Sequence, residues 1–153
     1  MPTLDTVVVP PSETAAAVWR YTTSPPPAGW EQPAFDASAW QQGNAAFGTP
    51  GTPGVKIGTE WRTSDIWLRR DIAIPATAPL NLGLLLHHDD AVEVYIDGYP
   101  ALAETGYTTR FEAFEPAPAA KARLKPGATV RVAIHTHQDA GGQCIDLGII
   151  SLK

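Results

Sequence analysis

Two histidines near the C-terminal end of the chain are the residues best suited to metal chemistry. His135 and His137 belong to the alternating segment Val130–Gln138, VRVAIHTHQ, so both side chains should point to one face of a strand. Imidazole nitrogens bind zinc and other transition metals. A complete site needs His87 or Asp89 as a further ligand, which requires their strand to be a neighbour. The alternative is a structural role, bonded to backbone or lining a polar groove.

Acidic residues could supply a second kind of chemistry. Glycoside cleavage needs two carboxyl groups about 5 to 10 Å apart across a cleft. The distance between residues on separate loops cannot be read from the sequence. The available carboxyl groups are Glu60, Asp65, Glu104 and Glu112. Asp89 and Asp90 follow an apolar segment, where aspartate commonly bonds turn backbone. We assign turn chemistry to Asp90 and leave Asp89 open for a ligand.

The five tryptophans are the third group. Flat aromatic side chains can stack on the apolar face of a sugar ring. Trp19, Trp40 and Trp67 lie in patterned segments and are expected to pack in the interior. Trp30 and Trp61 lie in irregular segments, where each could be a loop anchor or a ligand platform. The chain has no nucleophile elbow, phosphate loop or dinucleotide fingerprint.

The elements that would position these residues are strands. Leu80–His88 is apolar on both faces, Val92–Ile96 alternates, and Asp97-Gly98 is typical of a tight hairpin. A turn is expected at residues 88–90, and Gly29–Gly58 has no regular period apart from a short helical turn at Asp36–Gln41. Further strands are expected at Ala15–Thr22, Ile66–Ile74, Tyr99–Ala103, Thr109–Phe114, Val130–Gln138 and Cys144–Leu152.

Eight strands indicate an all-β fold, an antiparallel β-sandwich of the jelly-roll type. We expect residues 1–14 to be a linker or leading segment and residues 15–153 to form a single domain, since 153 residues suit one core. The net charge of −5 without a Lys/Arg run argues against nucleic acid. No apolar run is long enough to span a membrane. Cys144 is the only cysteine, and we expect an inert core thiol.

Five segments together resemble the galactose-binding-domain-like jelly roll at the N-terminal side of family 2 glycoside hydrolases and in related accessory modules. Asp97 departs from this pattern, which usually has asparagine before the glycine. The matching segments are Trp19-Arg20-Tyr21, Phe35–Trp40 leading to Phe47-Gly48, Trp67–Arg70, Asp89–Gly98 and Leu124–Gly127.

The resemblance implies a non-catalytic module that binds an oligo- or polysaccharide, or that docks a catalytic domain of the same parent chain. In the glycoside hydrolases the catalytic carboxylates belong to a separate barrel domain, so no catalytic residue is transferred. Stacking would come from Trp30, Trp61 and Tyr107, and hydrogen bonds to hydroxyls from Asp89, Arg110, His137 and Gln138. No cofactor is required, although the resemblance admits a structural calcium ion held by Glu13, Asp36 and Asp146.

Two alternatives remain beside sugar binding. The first is a structural domain without a ligand, which would expose an apolar patch of several hundred Å² for docking. The second is a small metal-dependent jelly-roll enzyme that uses His87, His135 and His137. The start MPTLDTVVVPP lacks the features of a signal peptide, and we expect a secreted or periplasmic location as part of a larger protein.

Overall fold

Two sheets packed face to face make up the computed structural model, which describes residues 2–153. The strands are β1 Leu4–Val9, β2 Val18–Thr22, β3 Gln41–Asn44, β4 Phe47–Gly48, β5 Thr59–Glu60, β6 Asp65–Ala73, β7 Leu82–Asp89, β8 Ala91–Ile96, β9 Tyr99–Glu104, β10 Glu112–Phe114, β11 Thr129–His137 and β12 Cys144–Leu152. One short helix, α1 Pro118–Lys121, lies between β10 and β11. In the described part of the chain, no helix is long and apolar enough to cross a membrane.

The first sheet has the order β10-β7-β12-β4-β5, and β1 also pairs with β12. The second sheet has the order β3-β2-β6-β11-β8-β9. All pairings are antiparallel except that of β4 with β5. The prediction of an antiparallel β-sandwich is therefore confirmed.

Alternation along the long strands explains the core. On β7, Leu82, Leu84 and Leu86 point into the space between the sheets and are fully buried. The opposite side of β7 is also apolar, because Leu85 packs with Ile150 and Leu152 in a separate cluster. A strand that is covered on both faces reads as a continuous apolar run, as this one does.

Each of the eight expected strands overlaps an observed one, namely β2 or one of β6 to β12, although the strand expected at Thr109–Phe114 is only the three residues of β10. The four strands that were not expected are β1, β3, β4 and β5. Of these, β3 and β4 lie in the stretch 29–58 where the sequence has no period, because such short pairings need no alternation. The helical turn expected at Asp36–Gln41 is a tight turn, in which the Trp40 N–H donates to the Ala37 carbonyl (3.0 Å).

The turn expected at residues 88–90 is wrong in one respect. It does not join two partners of one sheet, because β7 lies in the first sheet and β8 in the second. Asp90 is the single residue between these strands and carries the chain across the sandwich. The Asp97-Gly98 hairpin between β8 and β9 is confirmed, and both residues have positive φ, 50° and 84°.

The leading segment is not a linker. Leu4–Val9 forms β1, which pairs with β12 along the sheet edge that β4 leaves open. The Thr6 hydroxyl bonds the Ser151 hydroxyl (2.7 Å), and the Lys153 N–H donates to the Thr3 carbonyl (3.0 Å). The prediction failed because an edge strand with exposed Leu4 and Val7 carries little of the alternation of a half-buried strand.

Candidate functional site

A pocket of about 310 Å³ opens at the end of the first sheet, where β7 ends and β12 begins. Three loops wall it, namely residues 49–58, 105–111 and 138–143, and Asp89 lies within it. The residues that line it are Pro53, Asp89, Tyr107, Thr108, Thr109, Ala140, Gly141 and Gly142. Two residues expected to bind a ligand, Asp89 and Tyr107, are therefore brought together.

The two neighbouring carboxyl groups have different environments. Asp90 accepts hydrogen bonds from the Asp139 N–H (2.7 Å) and the Ala140 N–H (3.2 Å), so it fixes the 138–143 loop. Asp90 thus has a structural role, but the turn chemistry expected for it is not found, since its side chain bonds a distant loop rather than its own turn. Asp89 is buried, and burial together with the adjacent Asp90 carboxyl raises the pKa of Asp89 to about 7. Near neutrality its carboxyl can therefore be protonated and donate a hydrogen bond.

Tyr107 supplies the exposed aromatic ring at the pocket. Its side chain is 65% exposed, and its backbone forms an isolated antiparallel bridge with Asp89. The next residue, Thr108, anchors the loop, since its N–H donates to the His88 carbonyl (2.8 Å) and its hydroxyl accepts from the His88 N–H (3.0 Å). The tyrosine ring is thus carried on a fixed backbone.

His87 supports the pocket from beneath. It is fully buried, its Nε2 bonds the Pro53 carbonyl (2.7 Å), and its Nδ1 lies 3.0 Å from the Thr108 hydroxyl. The Cys144 sulfur also lies 3.2 Å from Nδ1. Burial lowers the pKa of His87 and raises that of the Cys144 thiol. Both side chains are therefore structural, as expected for the cysteine.

His135 and His137 lie elsewhere, on β11 of the second sheet, whereas His87 lies on β7 of the first. Their shared face is confirmed, because His135 Nε2 (2.8 Å) and His137 Nδ1 (2.9 Å) both contact one oxygen of Asp65. The three-histidine set is not assembled. Across residues 2–153 no three histidine, cysteine or acidic side chains are placed to hold a metal ion. Among the same residues, the carboxyl groups considered for calcium, Glu13, Asp36 and Asp146, do not form such a group either.

The other expected binding residues are not in the pocket. Trp61 is wrong as a ligand platform, because it is 2% exposed and part of the main core. Its indole N–H donates to the Thr63 hydroxyl (3.0 Å) and the Asp65 carbonyl (3.3 Å). Trp30 is half-buried and lies edge-on to Tyr95, with ring centres 5.8 Å apart. Both tryptophans are loop anchors.

Three polar residues lie around the pocket without lining it. Gln138 donates to the Gly141 carbonyl (3.1 Å) and so shapes the 138–143 loop. His137 is exposed, and its Nε2 lies 3.2 Å from an Asp139 carboxylate oxygen. Arg110 is exposed and directly follows the lining residue Thr109.

Sequence reasoning missed the residues that form the walls. Pro53, Thr109 and Gly142 belong to three loops that are distant in sequence, and no pattern relates them. The only signal in the sequence is the pair Gly141-Gly142, because adjacent glycines are typical of a loop. A Cβ on Gly142 would lie 2.9 Å from a carboxylate oxygen of Asp89, so a side chain at this position would displace the Asp89 carboxyl group.

No family model and no curated protein matches the chain. Solved structures do match in fold. The β-glucuronidase from Ruminococcus gnavus in complex with D-glucuronic acid has a TM-score of 0.63 at 12% identity, over 99% of this chain and 31% of that one. The Faecalibacterium prausnitzii β-glucuronidase has a TM-score of 0.60 at 11% identity, over 100% of this chain and 33% of that one. A glycosyl hydrolase family 2 member from Bacteroides cellulosilyticus has a TM-score of 0.59 at 17% identity, over 88% of this chain and 20% of that one.

These similarities confirm the predicted jelly-roll fold and its resemblance to family 2 glycoside hydrolase structures. The chain spans a fifth to a third of the length of those three proteins. At 11–17% identity the likeness concerns the fold alone, since one fold serves many functions.

Proposed function

We propose that this chain is a non-catalytic carbohydrate-binding domain of a larger carbohydrate-active protein, and that sugar binds in the pocket at Asp89. The observation that carries the proposal is the placement of the exposed Tyr107 ring beside a buried carboxyl group. A sugar has an apolar face for stacking and hydroxyls that need hydrogen-bond partners, and such a site offers both. We further propose a catalytic domain as a partner in the same chain, with a secreted or periplasmic location.

The proposal predicts that Tyr107→Ala weakens sugar binding about tenfold or more, because the stacking surface is lost. The purified protein is first screened on a glycan array, and each hit is titrated by calorimetry with and without a chelator. Tyr99→Ala is the matched control. Tyr99 is also exposed (45%), but it lies at the Asp97-Gly98 hairpin, at the opposite end of β8 from Asp90.

Equal affinities of the wild type and Tyr107→Ala would exclude this pocket as the sugar site. A chelator-sensitive hit would show instead that binding needs a metal ion. Unfolding midpoints of both variants should match the wild type, since neither tyrosine belongs to the core clusters.

A docking role is the second candidate, and a separate observation favours it. A groove of about 1010 Å³ lies between the start of β7 and α1, with Leu80 87% exposed beside it. Its apolar lining includes Leu80, Pro116, Pro118, Leu124 and Pro126. An apolar surface of this kind is typical of a protein contact, and a neighbouring domain of the parent chain is the partner we propose for it.

A further inference from the structure

The three loops around the pocket are held against one another. The Gln143 N–H donates to the Thr52 hydroxyl (3.1 Å), and the Thr49 N–H donates to the Gln143 carbonyl (2.9 Å). The 49–58 loop also touches the 105–111 loop, because a Cβ on Gly54 would collide with the Thr109 carbonyl. The 49–58 loop therefore joins the other two loops, and the wall of the pocket is continuous on these two sides.

The pocket is small. Its volume of about 310 Å³ is at the lower end of the range for small-molecule sites, about 300–1,000 Å³. A single sugar ring suits this space, whereas several linked rings would need a longer cleft. A walled pocket of this size would admit the end of a glycan chain rather than an internal segment.

The charges around the pocket are mainly negative. Asp90, which accepts two backbone N–H bonds, lies directly beside Asp89, and the carboxylate of Asp139 belongs to the adjoining loop. The nearest cation in sequence is Arg110, whose exposed side chain lies outside the lining. An anionic ligand would bring another carboxylate against Asp90, which costs binding free energy through like-charge repulsion.

We infer that the pocket takes one uncharged terminal sugar residue and discriminates against uronic acids. This inference rests on the proposed sugar-binding function and deepens it. The uncharged form of Asp89 at neutral pH supports it, because a protonated carboxyl can both donate to and accept from sugar hydroxyls. As the pH rises past about 7, Asp89 ionises and adds a second negative charge to the pocket.

The test compares matched pairs of probes on the purified protein. Methyl glucoside and methyl galactoside, and the methyl glycoside of any other array hit, are titrated at pH 6 and pH 8 against the corresponding methyl uronides. We expect at least a tenfold weaker affinity for the uronide, with a wider gap at pH 8. In Asp89→Asn the gap should widen less between pH 6 and pH 8 than in the wild type, because the amide carries no charge and only His137, beside Asp139, still titrates near the pocket.

A second series measures chain length. The mono-, di- and tetrasaccharide of the bound sugar should have affinities within about threefold of one another, since only the terminal residue enters. An affinity that rises tenfold with length would overturn the single-residue inference.

The failures are distinguishable. A uronide that binds as tightly as its neutral partner overturns the charge inference and leaves the sugar-binding function intact. If no probe binds and Tyr107→Ala changes nothing on the array, the proposed function fails, and this inference fails with it.

Discussion

Asp89 and Asp90 illustrate how two adjacent residues of one type divide their roles. Asp90 is satisfied by backbone N–H groups of the 138–143 loop, whereas the carboxyl of Asp89 points into the pocket beside Gly142. Burial is the main cause of the raised pKa of Asp89, and the adjacent Asp90 carboxyl adds to it. The residue with the structural role therefore helps to keep the residue that faces the pocket protonated.

Trp61 is predicted to contribute to stability rather than to binding. Trp61→Ala should lower the free energy of unfolding by about 3–5 kcal/mol, because it leaves a large cavity in the core and two hydrogen-bond acceptors without their donor. Denaturant unfolding measures this change. Trp30→Ala is the control and should cost less, since Trp30 is only half-buried. Wild-type stability of Trp61→Ala together with lost sugar binding would restore Trp61 as a ligand residue.

At the scale of elements, periodicity predicted the strands but not their partners. β6 and β11 were placed within one residue at each end, and β12 without error, because long half-buried strands alternate clearly. The transition from β7 to β8 could not be read as a crossover, since alternation shows which face is buried and not which sheet the strand joins. The pocket depends on that pairing, and of the residues expected to bind a ligand only Asp89 and Tyr107 line it.

Three strands of the second sheet are joined by a cluster of ionisable side chains. His135 on β11 contacts Asp65 on β6 (2.8 Å) and Glu93 on β8 (3.1 Å), and its ring stacks on Trp67 at 4.7 Å. His137 contacts Asp65 and Asp139 through its two nitrogens. Only a protonated imidazole can donate to two carboxylates at once. The hydrogen bond that His137 donates to Asp65 is the main cause of the raised pKa of His137.

We expect the sandwich to be most stable in mildly acidic solution and to lose stability as the pH rises from about 5 to 8. The folded state binds protons more tightly than the unfolded chain at Asp89 (pKa about 7) and at Asp146 (about 6), where burial is the main cause. Stability therefore falls as the pH rises from 3.8 through these values, by up to about 1.4 kcal/mol per pH unit and group. The raised pKa of His137 acts in the same direction above pH 6.5. Buried His87 opposes the decline below pH 6.5, because its pKa is lowered, and the two carboxyl groups outweigh it.

At low pH the dependence reverses, and stability falls as the pH decreases. Burial opposes ionisation of Asp65, but the hydrogen bonds from His135 and His137 outweigh it and lower the pKa of Asp65, so its stabilising contribution is lost below about pH 4. Denaturant unfolding between pH 3 and 9 measures the profile. Asp89→Asn should flatten the decline between pH 5 and 7, and Asp71→Asn, at an exposed position, is the control. A stability profile that rises towards pH 8 would contradict the raised pKa values of Asp89 and Asp146.

On the scale of the whole molecule, the pocket and the apolar groove lie at opposite ends. Asp89 closes β7 at the pocket, and Leu80 precedes β7 at the groove. Sugar binding and docking therefore need not compete for one surface. A domain attached at the groove would leave the pocket open to a glycan.

The proposed docking role makes a prediction for a longer protein that contains this sandwich. Where this sandwich is joined to a catalytic domain, Leu80→Asp should lower the unfolding midpoint by a few degrees, because a charge is placed in a buried contact. In the isolated chain the same change should have little effect, since Leu80 is 87% exposed. Val18→Asp, at a position that is 50% exposed, is the control. Identical midpoints for the two variants in the longer protein would remove the groove from the interface.

The bond between the Lys153 N–H and the Thr3 carbonyl (3.0 Å) brings residues 3 and 153 together. They meet at the end of β12 that pairs with the start of β7, away from the pocket. Any polypeptide joined to either end would therefore leave from one place. A domain joined at either end would then be attached at a single place on the sandwich, and rotation about that attachment would redirect the pocket without altering any contact inside the sandwich.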